Sequence, residues 1–304
     1  MIYLEAEHFV RAPEWLWWIL GYFFFAGIAG GAYVLGTLLR MSGDSRDEPA
    51  ARIAFLVSLP TTVICPVLLT ADLNASWSRF WHMMVNTTPG DTGLNFKYWS
   101  PMSVGVWGLL LFGFFVGISA VDAWLRNRGS FGLLPMAVNR VFNVLGSLVG
   151  IFIASYTGVL LSVSNQPVWS DTWALGGLFL ASGLSGAAAL LLLLIRNRPD
   201  AGFSLGRIHQ ADGYFSVLEL ALILVFFVTV GAAGTLAREL PWLPLWAFAI
   251  VGVAASLVEA RGHMRMRPTG AGTVAGIRVD TAVVSLLALA GVLALRPAVI
   301  FSAQ

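Results

Sequence analysis

Eight separate stretches of this chain are apolar for long enough to cross a lipid bilayer, and this restricts the fold more than any other feature. They cover residues 15–39, 53–71, 99–121, 141–163, 172–195, 213–237, 242–258 and 279–295. A helix of about 20 residues spans the ~30 Å hydrocarbon layer. Lipid offers backbone groups no partner, so only helices or a closed barrel can cross, and no ten-residue alternation points to a barrel. The expected fold is therefore an all-α integral membrane protein with eight transmembrane helices. Composition agrees: 11% of residues are charged and 58% hydrophobic, where a soluble domain carries about a quarter charged.

The same composition excludes several functions. A net charge of +2 with no basic stripe interleaved with aromatics gives nucleic acid nothing to bind. The lone cysteine, Cys65, rules out an internal disulfide, a Cys-ligated iron–sulfur cluster and a structural zinc site within the chain. His8, His82, His209 and His263 are placed by the spans in loops or at ends on opposite sides, so no haem is expected. The start, MIYLEAEHF, is acidic where a cleavable signal would be basic, which makes the first span the expected insertion signal.

Arginine and lysine fix the expected orientation. Thirteen of the 18 fall in loops 40–52, 122–140, 196–212 and 259–278, whereas only Arg11, Arg79, Lys97, Arg238 and Arg296 fall on the other side. The first set is therefore expected to be cytoplasmic and both termini outside, in a multi-pass inner-membrane protein. Trp15, Trp17, Trp18, Trp77, Trp81, Trp99, Trp169, Trp173 and Trp242 line the opposite boundary as an aromatic belt. An internal echo relates Phe24–Ala32 in the first span to Phe179–Ala187 in the fifth. Both start outside, so two parallel repeats of four helices are one reading, and chance likeness of small-residue helices is the other.

Residues able to carry chemistry concentrate at the outer rim of the first four spans. Trp77, Phe80, Trp81 and Met84 recur at helical spacing, the pattern of an interfacial helix, with Arg79 and His82 on another face. Tyr156 in the fourth span and Tyr22 in the first reach similar depth from that side. A hydroxyl there suits a quinone carbonyl, and Asp72 can exchange the proton that quinone chemistry needs. A belt tyrosine and a helix-capping aspartate are the plainer alternatives. Glu219 is the one carboxylate expected well inside a span; with Asp212, seven residues earlier on the same face, it suggests a proton path from the cytoplasmic side. A neutral carboxyl, or one paired with a buried polar group purely for packing, is the plainer alternative.

With these residues located, the chain resembles the NrfD/polysulfide reductase membrane-subunit family. The likeness rests on Gly27-Ile28-Ala29-Gly30-Gly31-Ala32-Tyr33, on Asp72-Leu73 followed by Arg79-Phe80-Trp81, and on Ser100-Pro101-Met102-Ser103-Val104-Gly105-Val106-Trp107. It continues through Tyr156-Thr157-Gly158-Val159-Leu160-Leu161, Pro167-Val168-Trp169 and residues 178–187. It covers residues 15–190 well and fades beyond Glu219. The resemblance implies two four-helix bundles, residues 1–170 and 171–304, with no redox centre of their own. It implies menaquinone or ubiquinone bound near the outer rim, with Tyr156 at the position of the family's quinone-contacting tyrosine. A ferredoxin-like iron–sulfur subunit would dock at the outer face, with a molybdopterin catalytic subunit beyond it. One departure stands out: Ile19 and Tyr22 occupy first-helix positions where relatives carry Asn and His, so Tyr22 supplies that hydrogen bond, His82 does, or the site has shifted. The expected function is electron exchange between membrane quinone and an iron–sulfur partner. A solute or proton transporter and a ligand-free membrane anchor are the competing classes.

Overall fold

The computed structural model describes residues 13–265 and 280–304. Its helices are α1 (Trp17–Met41), α2 (Glu48–Asp72), α3 (Pro101–Asn127), α4 (Met136–Ser162), α5 (Leu175–Ile195), α6 (Leu205–Ala232), α7 (Leu243–Arg265) and α8 (Thr281–Phe301). Eight helices, counted among the described residues, are long and apolar enough to cross a membrane, so the all-α membrane fold holds. The acidic start with His8 and Arg11, and residues 266–279 with Arg267 and Arg278, lie outside the described residues. So do the side chains of Trp77, His263 and Arg265.

Several helices outrun their apolar stretches. On the arginine-rich side α2 begins at Glu48, α3 continues to Asn127, α4 begins at Met136 and α6 begins at Leu205. Hydropathy marks only the part of a helix in hydrocarbon, whereas hydrogen bonding carries the helix on through the headgroup layer. Residues expected in loops are consequently buried inside helices, among them Arg40, Asp122 and His209. Arg296, expected outside on the far side, lies within α8 and is fully buried. Glu219 is thus one of several buried charges. Helix starts follow local chemistry: Pro49 and Pro101 occupy first turns, where a missing N–H costs nothing. Ser100 and Asp280 accept backbone N–H groups as N-caps.

α1 and α5 form the centre. In their most apolar windows 83% and 78% of residues are buried, against 28% in α3 and α6. α1 packs on α2, α4 and α5, with α3 touching α2 and α4; α5 packs on α6 and α8, with α7 touching both. Between lipid-embedded helices no hydrophobic drive exists, so close packing must supply the attraction. Small residues allow it. A Cβ on Gly183 would meet the Gly27 Cα at 2.8 Å, and one on Gly31 would meet the Gly183 carbonyl oxygen at 2.7 Å. α4 joins in, since a Cβ on Gly158 would run into the Leu175 carbonyl of α5.

The loop after α2 departs from expectation. Asn74–Met83 forms 3₁₀ turns, and a hairpin follows, β1 (Val85–Thr88) paired antiparallel with β2 (Asp91–Leu94) in the register Val85↔Leu94. Pro89-Gly90 makes the turn, and Gly90 has φ +85°, a conformation glycine adopts without steric cost. β-branched Val85, Thr87, Thr88 and Thr92 on either side favour strands. The segment expected as an interfacial helix is thus 3₁₀ rather than α-helical, and Phe80 and Trp81 are exposed on the protein surface, as side chains meant for a lipid interface would be.

The glycine contacts make a sharp prediction. Gly183→Ala should lower stability by about 1–3 kcal/mol through overpacking. Gly113→Ala, where the added Cβ meets nothing within 4 Å, should be neutral or stabilising by up to ~1 kcal/mol. Thermal unfolding of the purified protein in detergent separates the two.

Candidate functional site

Three buried groups meet below the tryptophan-rich ends of the first four helices. Tyr22 lies five residues into α1, Cys65 seven residues before the end of α2, and Tyr156 six residues before the end of α4. At the helical rise these are depths of about 7–11 Å. All three are buried, and Tyr22 lies within Coulombic reach of Cys65 and Tyr156. Cys65 had no expected role at this place; its intramembrane position seven residues before Asp72 on α2 was the available signal.

The Tyr156 ring occupies space that Gly105 leaves open, since a Cβ there would lie 2.4 Å from the ring. Its hydroxyl donates to the Pro101 carbonyl at 2.5 Å. Proline at helix start and glycine one turn later therefore position this phenol. Its oxygen keeps an accepting lone pair. One turn away on α4, Phe152 lies 5.5 Å from the Tyr156 ring. Phe152 also borders an apolar groove of about 760 Å³ together with Leu94, Phe96, Val104, Trp107 and Leu111. β2 and the following segment wall this groove on one side. Trp107 is fixed there by an indole N–H donated to the Asn95 carbonyl at 3.1 Å.

The other rim candidates divide. Asp72 ends α2 half-buried, and among the described residues its carboxylate takes no hydrogen bond or ion pair. It lies two turns from Cys65 on the same face of α2, the face that reaches Tyr22. Arg79 is exposed and His82 half-buried in the 3₁₀ segment. His82 stacks edge-on against Trp81 at 4.2 Å, and its carbonyl accepts from the Asn95 side chain at 2.9 Å. The structure gives Tyr22 and Tyr156 a common locality. No direct contact joins either one to Arg79 or His82 among the described residues.

A second polar assembly, absent from the sequence expectations, fills the arginine-rich end of α1–α4. Arg40 pairs with Glu48 at 2.8 Å and with Asp122 at 3.5 Å, and Asp122 also holds Arg126 at 2.9 Å. Asn139 donates to Asp122 at 2.6 Å. With the Asn143 amide turned so that its oxygen accepts from Arg40 at 2.9 Å, its nitrogen donates to Ser119 at 3.1 Å. Ser119 in turn meets the Tyr33 hydroxyl at 2.8 Å. Counting apolar residues placed Arg40 and Asp122 in loops; their pairing across α1, α2 and α3 is a tertiary fact. This network is almost wholly hydrogen-bonded, which marks it as a structural lock.

The carboxylates of α6 are different. Asp212 and Glu219 are both buried. Asp212 accepts from Ser185 of α5 at 3.1 Å, and Ser185 also meets Ser216 at 3.4 Å. Both Glu219 oxygens are buried without a hydrogen-bond partner among the described residues. The cation acting on Glu219 is Arg296 of α8, which donates to Ser182 of α5 and lies 4.5 Å over the Phe179 ring.

A family model described as polysulphide reductase, NrfD, matches residues 5–304. A polysulfide reductase chain of Wolinella succinogenes is 25% identical over 311 residues, covering 95% of this chain and 94% of that protein. Protein NrfD of Escherichia coli is 25% identical, covering 75% of this chain and 74% of its own length. A tetrathionate reductase subunit of Salmonella typhimurium is 28% identical, covering 64% of this chain and 54% of that protein.

The Arg40 network yields a stability test. Arg40→Met leaves Asp122 and Glu48 facing each other without their shared cation, so stability should fall by about 3 kcal/mol. His82→Ala, at the half-exposed rim, should change it by less than about 0.5 kcal/mol. Chemical denaturation in mild detergent provides the comparison.

Proposed function

This chain belongs to the polysulphide reductase NrfD family of integral membrane proteins, and from that premise we propose that it is the quinone-reactive membrane subunit of a multi-subunit oxidoreductase. The observation carrying this reading is the apolar groove beside Tyr156, a phenol positioned by Pro101 and Gly105. Menaquinone or ubiquinone is a flat ring on a long isoprenoid tail. The groove is apolar enough for the tail and lies open between α3 and α4 on their lipid side, while the tyrosines below the rim offer polar atoms to the ring.

The hydrogen bond to Pro101 assigns Tyr156 a direction of donation. A phenol has one proton. While Tyr156 gives it to Pro101, its oxygen can accept from a quinol O–H; to donate to a quinone carbonyl it must release Pro101. Tyr156 therefore holds the reduced form without rearrangement and the oxidised form after one hydrogen-bond exchange. Oxidation of a quinol releases two electrons and two protons. Asp72, half-buried and unpaired among the described residues, takes or returns a proton at the rim. Tyr22 contributes the first-helix contact, and Arg79 and His82 on the exposed segment assist proton exchange with water.

The electrons pass to or from a partner. A ferredoxin-like iron–sulfur subunit at the outer face, followed by a molybdopterin catalytic subunit, is the proposed assembly. The exposed Phe80, Trp81, Phe96, Tyr98 and Trp99 form the platform it would cover. The arginine-rich face is read as cytoplasmic, with both termini outside in the inner membrane. The pairing of α1 with α2 and α4, and of α5 with α6 and α8, supports a division into two four-helix bundles. Among the described residues the eight helices run without the midplane breaks that line secondary-transporter sites, which favours the redox reading over transport.

Tyr156→Phe tests the proposal because it keeps the ring against Gly105 and removes only the hydroxyl. Losing one hydrogen bond to the reacting oxygen should slow quinol turnover of the purified complex by roughly tenfold, with assembly unchanged. Gly105→Ala, which drives the ring out of place, should match or exceed that loss. Turnover equal to wild type in Tyr156→Phe would remove the residue from the site.

A further inference from the structure

We propose that α5, α6, α7 and α8 enclose a water-filled half-channel, open toward the arginine-rich face, that delivers protons to Glu219 and is closed at its inner end by Arg296. This goes beyond the quinone reading: it assigns a proton-loading site in the second set of four helices, apart from Tyr156.

Unsatisfied polarity is the first argument. Both Glu219 oxygens, the Arg296 Nε and the Ser285 hydroxyl are buried and lack hydrogen-bond partners among the described residues. The buried Ser256 hydroxyl of α7 faces Asp212. Charged and hydroxyl groups left unsatisfied in a membrane interior are expected to hold water or an ion. The contrast with Arg40, Glu48 and Asp122 is direct, because those side chains pair with one another and leave little for water to do.

The second argument is alignment. Asp212, Ser216 and Glu219 fall at i, i+4 and i+7 on α6 and so share one face, and Ser185 of α5 joins the first two. Asp212 begins this file seven residues into α6 from its arginine-rich end; Glu219 is seven residues further in. The groups around the file are Asp212 and His209 on α6, Glu259 on α7, and Arg296 on α8, while α5 offers only Ser182 and Ser185. Glu259 acts on Asp212, and Asp212 and Arg296 act on Glu219, so charge is coupled along the whole column.

The column is closed on the other side. Two turns beyond Glu219 on the same face, Phe226 lies 5.0 Å from the Trp246 ring, and both are fully buried along with Phe179. Arg296 lies over Phe179. Its fixed positive charge repels a hydronium ion at the end of the file. A proton arriving from water therefore stops at Glu219: hydronium gives its proton to the carboxylate, leaving water and a neutral carboxylic acid, and the Glu219–Arg296 pair gains one positive charge. Arg296 also abuts α1, since a Cβ on Gly27 would lie 3.2 Å from its Nη2. That extra charge is consequently felt at the α1–α5 crossing, five residues along α1 from Tyr22.

Cysteine accessibility in the intact complex tests water entry without any quinone readout, so failure of the Tyr156 assignment and failure of this one are distinguishable. In a Cys65→Ala background, Ser256→Cys and Ser285→Cys should react with a small charged methanethiosulfonate applied to the arginine-rich side. They should react at least about tenfold faster than Phe226→Cys, because water supports the thiolate. Two correctly assembled variants that both resist labelling from either side would show a dry column and overturn the proposal. Proton loading is read separately by infrared difference spectroscopy between acidic and alkaline pH. A protonated-carboxyl band present in the unmutated complex and lost in Glu219→Gln is expected; a spectrum without that band, or one responding to sodium instead of pH, would refute the assignment.

Discussion

Everything in this molecule is arranged around the near-contact of two backbones, α1 and α5, where Gly27 faces Gly183. Helices in lipid gain nothing from burying apolar surface against one another, because the tails they displace are equally apolar. What holds them is dispersion between surfaces that fit, and that fit needs residues with almost no side chain. The glycines of α1 and α5 permit it at Gly27, Gly31 and Gly183, and Gly158 extends it to α4. From this centre the remaining helices take their places, and lipid covers much of α3 and α6.

Burying charge in such a framework is costly, and the two sets of helices meet the cost differently. Around Arg40 the cation, two carboxylates, two amides and a hydroxyl pair with one another, leaving one Asp122 oxygen without a hydrogen bond among the described residues. Cross-linking α1, α2, α3 and α4 in this way favours one arrangement of the helices. Around Glu219 the groups are close enough to influence each other yet leave donors and acceptors unused. Unused hydrogen-bonding capacity inside a membrane is where water, protons and function are expected. The rim near Tyr156 lies between these extremes: its phenol is anchored by one backbone carbonyl, so a ligand can compete for it.

Val168 shows how local strain is kept where several contacts hold it. It has φ +70°, a conformation that costs a β-branched residue about 1–3 kcal/mol. Its N–H is held by Asp171 at 2.7 Å, and the next residue, Trp169, is fully buried with its indole N–H on the Val299 carbonyl at 2.7 Å. The link between α4 and α5 is thereby pinned to the end of α8.

The sequence by itself determined the solvent, the element type and the number of spans, because a run of apolar residues in lipid has one low-energy backbone solution. It also drew attention to Tyr22, Tyr156 and Glu219, since a polar residue inside such a run stands out whatever its neighbours are, and to Asp72 and Asp212 at the edges of two runs. The hairpin at Pro89-Gly90 is not among the sequence expectations, because the aromatic spacing around Trp81 draws attention to a helix, although its turn residues and β-branched flanks carry the signal. Only the tertiary structure decided which charges are buried. Arg40, Asp122 and Arg296 sit at the edges of apolar runs, and hydropathy cannot distinguish a charge reaching water from one turned inward to a partner on another helix. Pairing and its absence are properties of several helices together. For that reason the lock at Arg40 and the open polarity at Glu219 emerge only when the eight helices are packed.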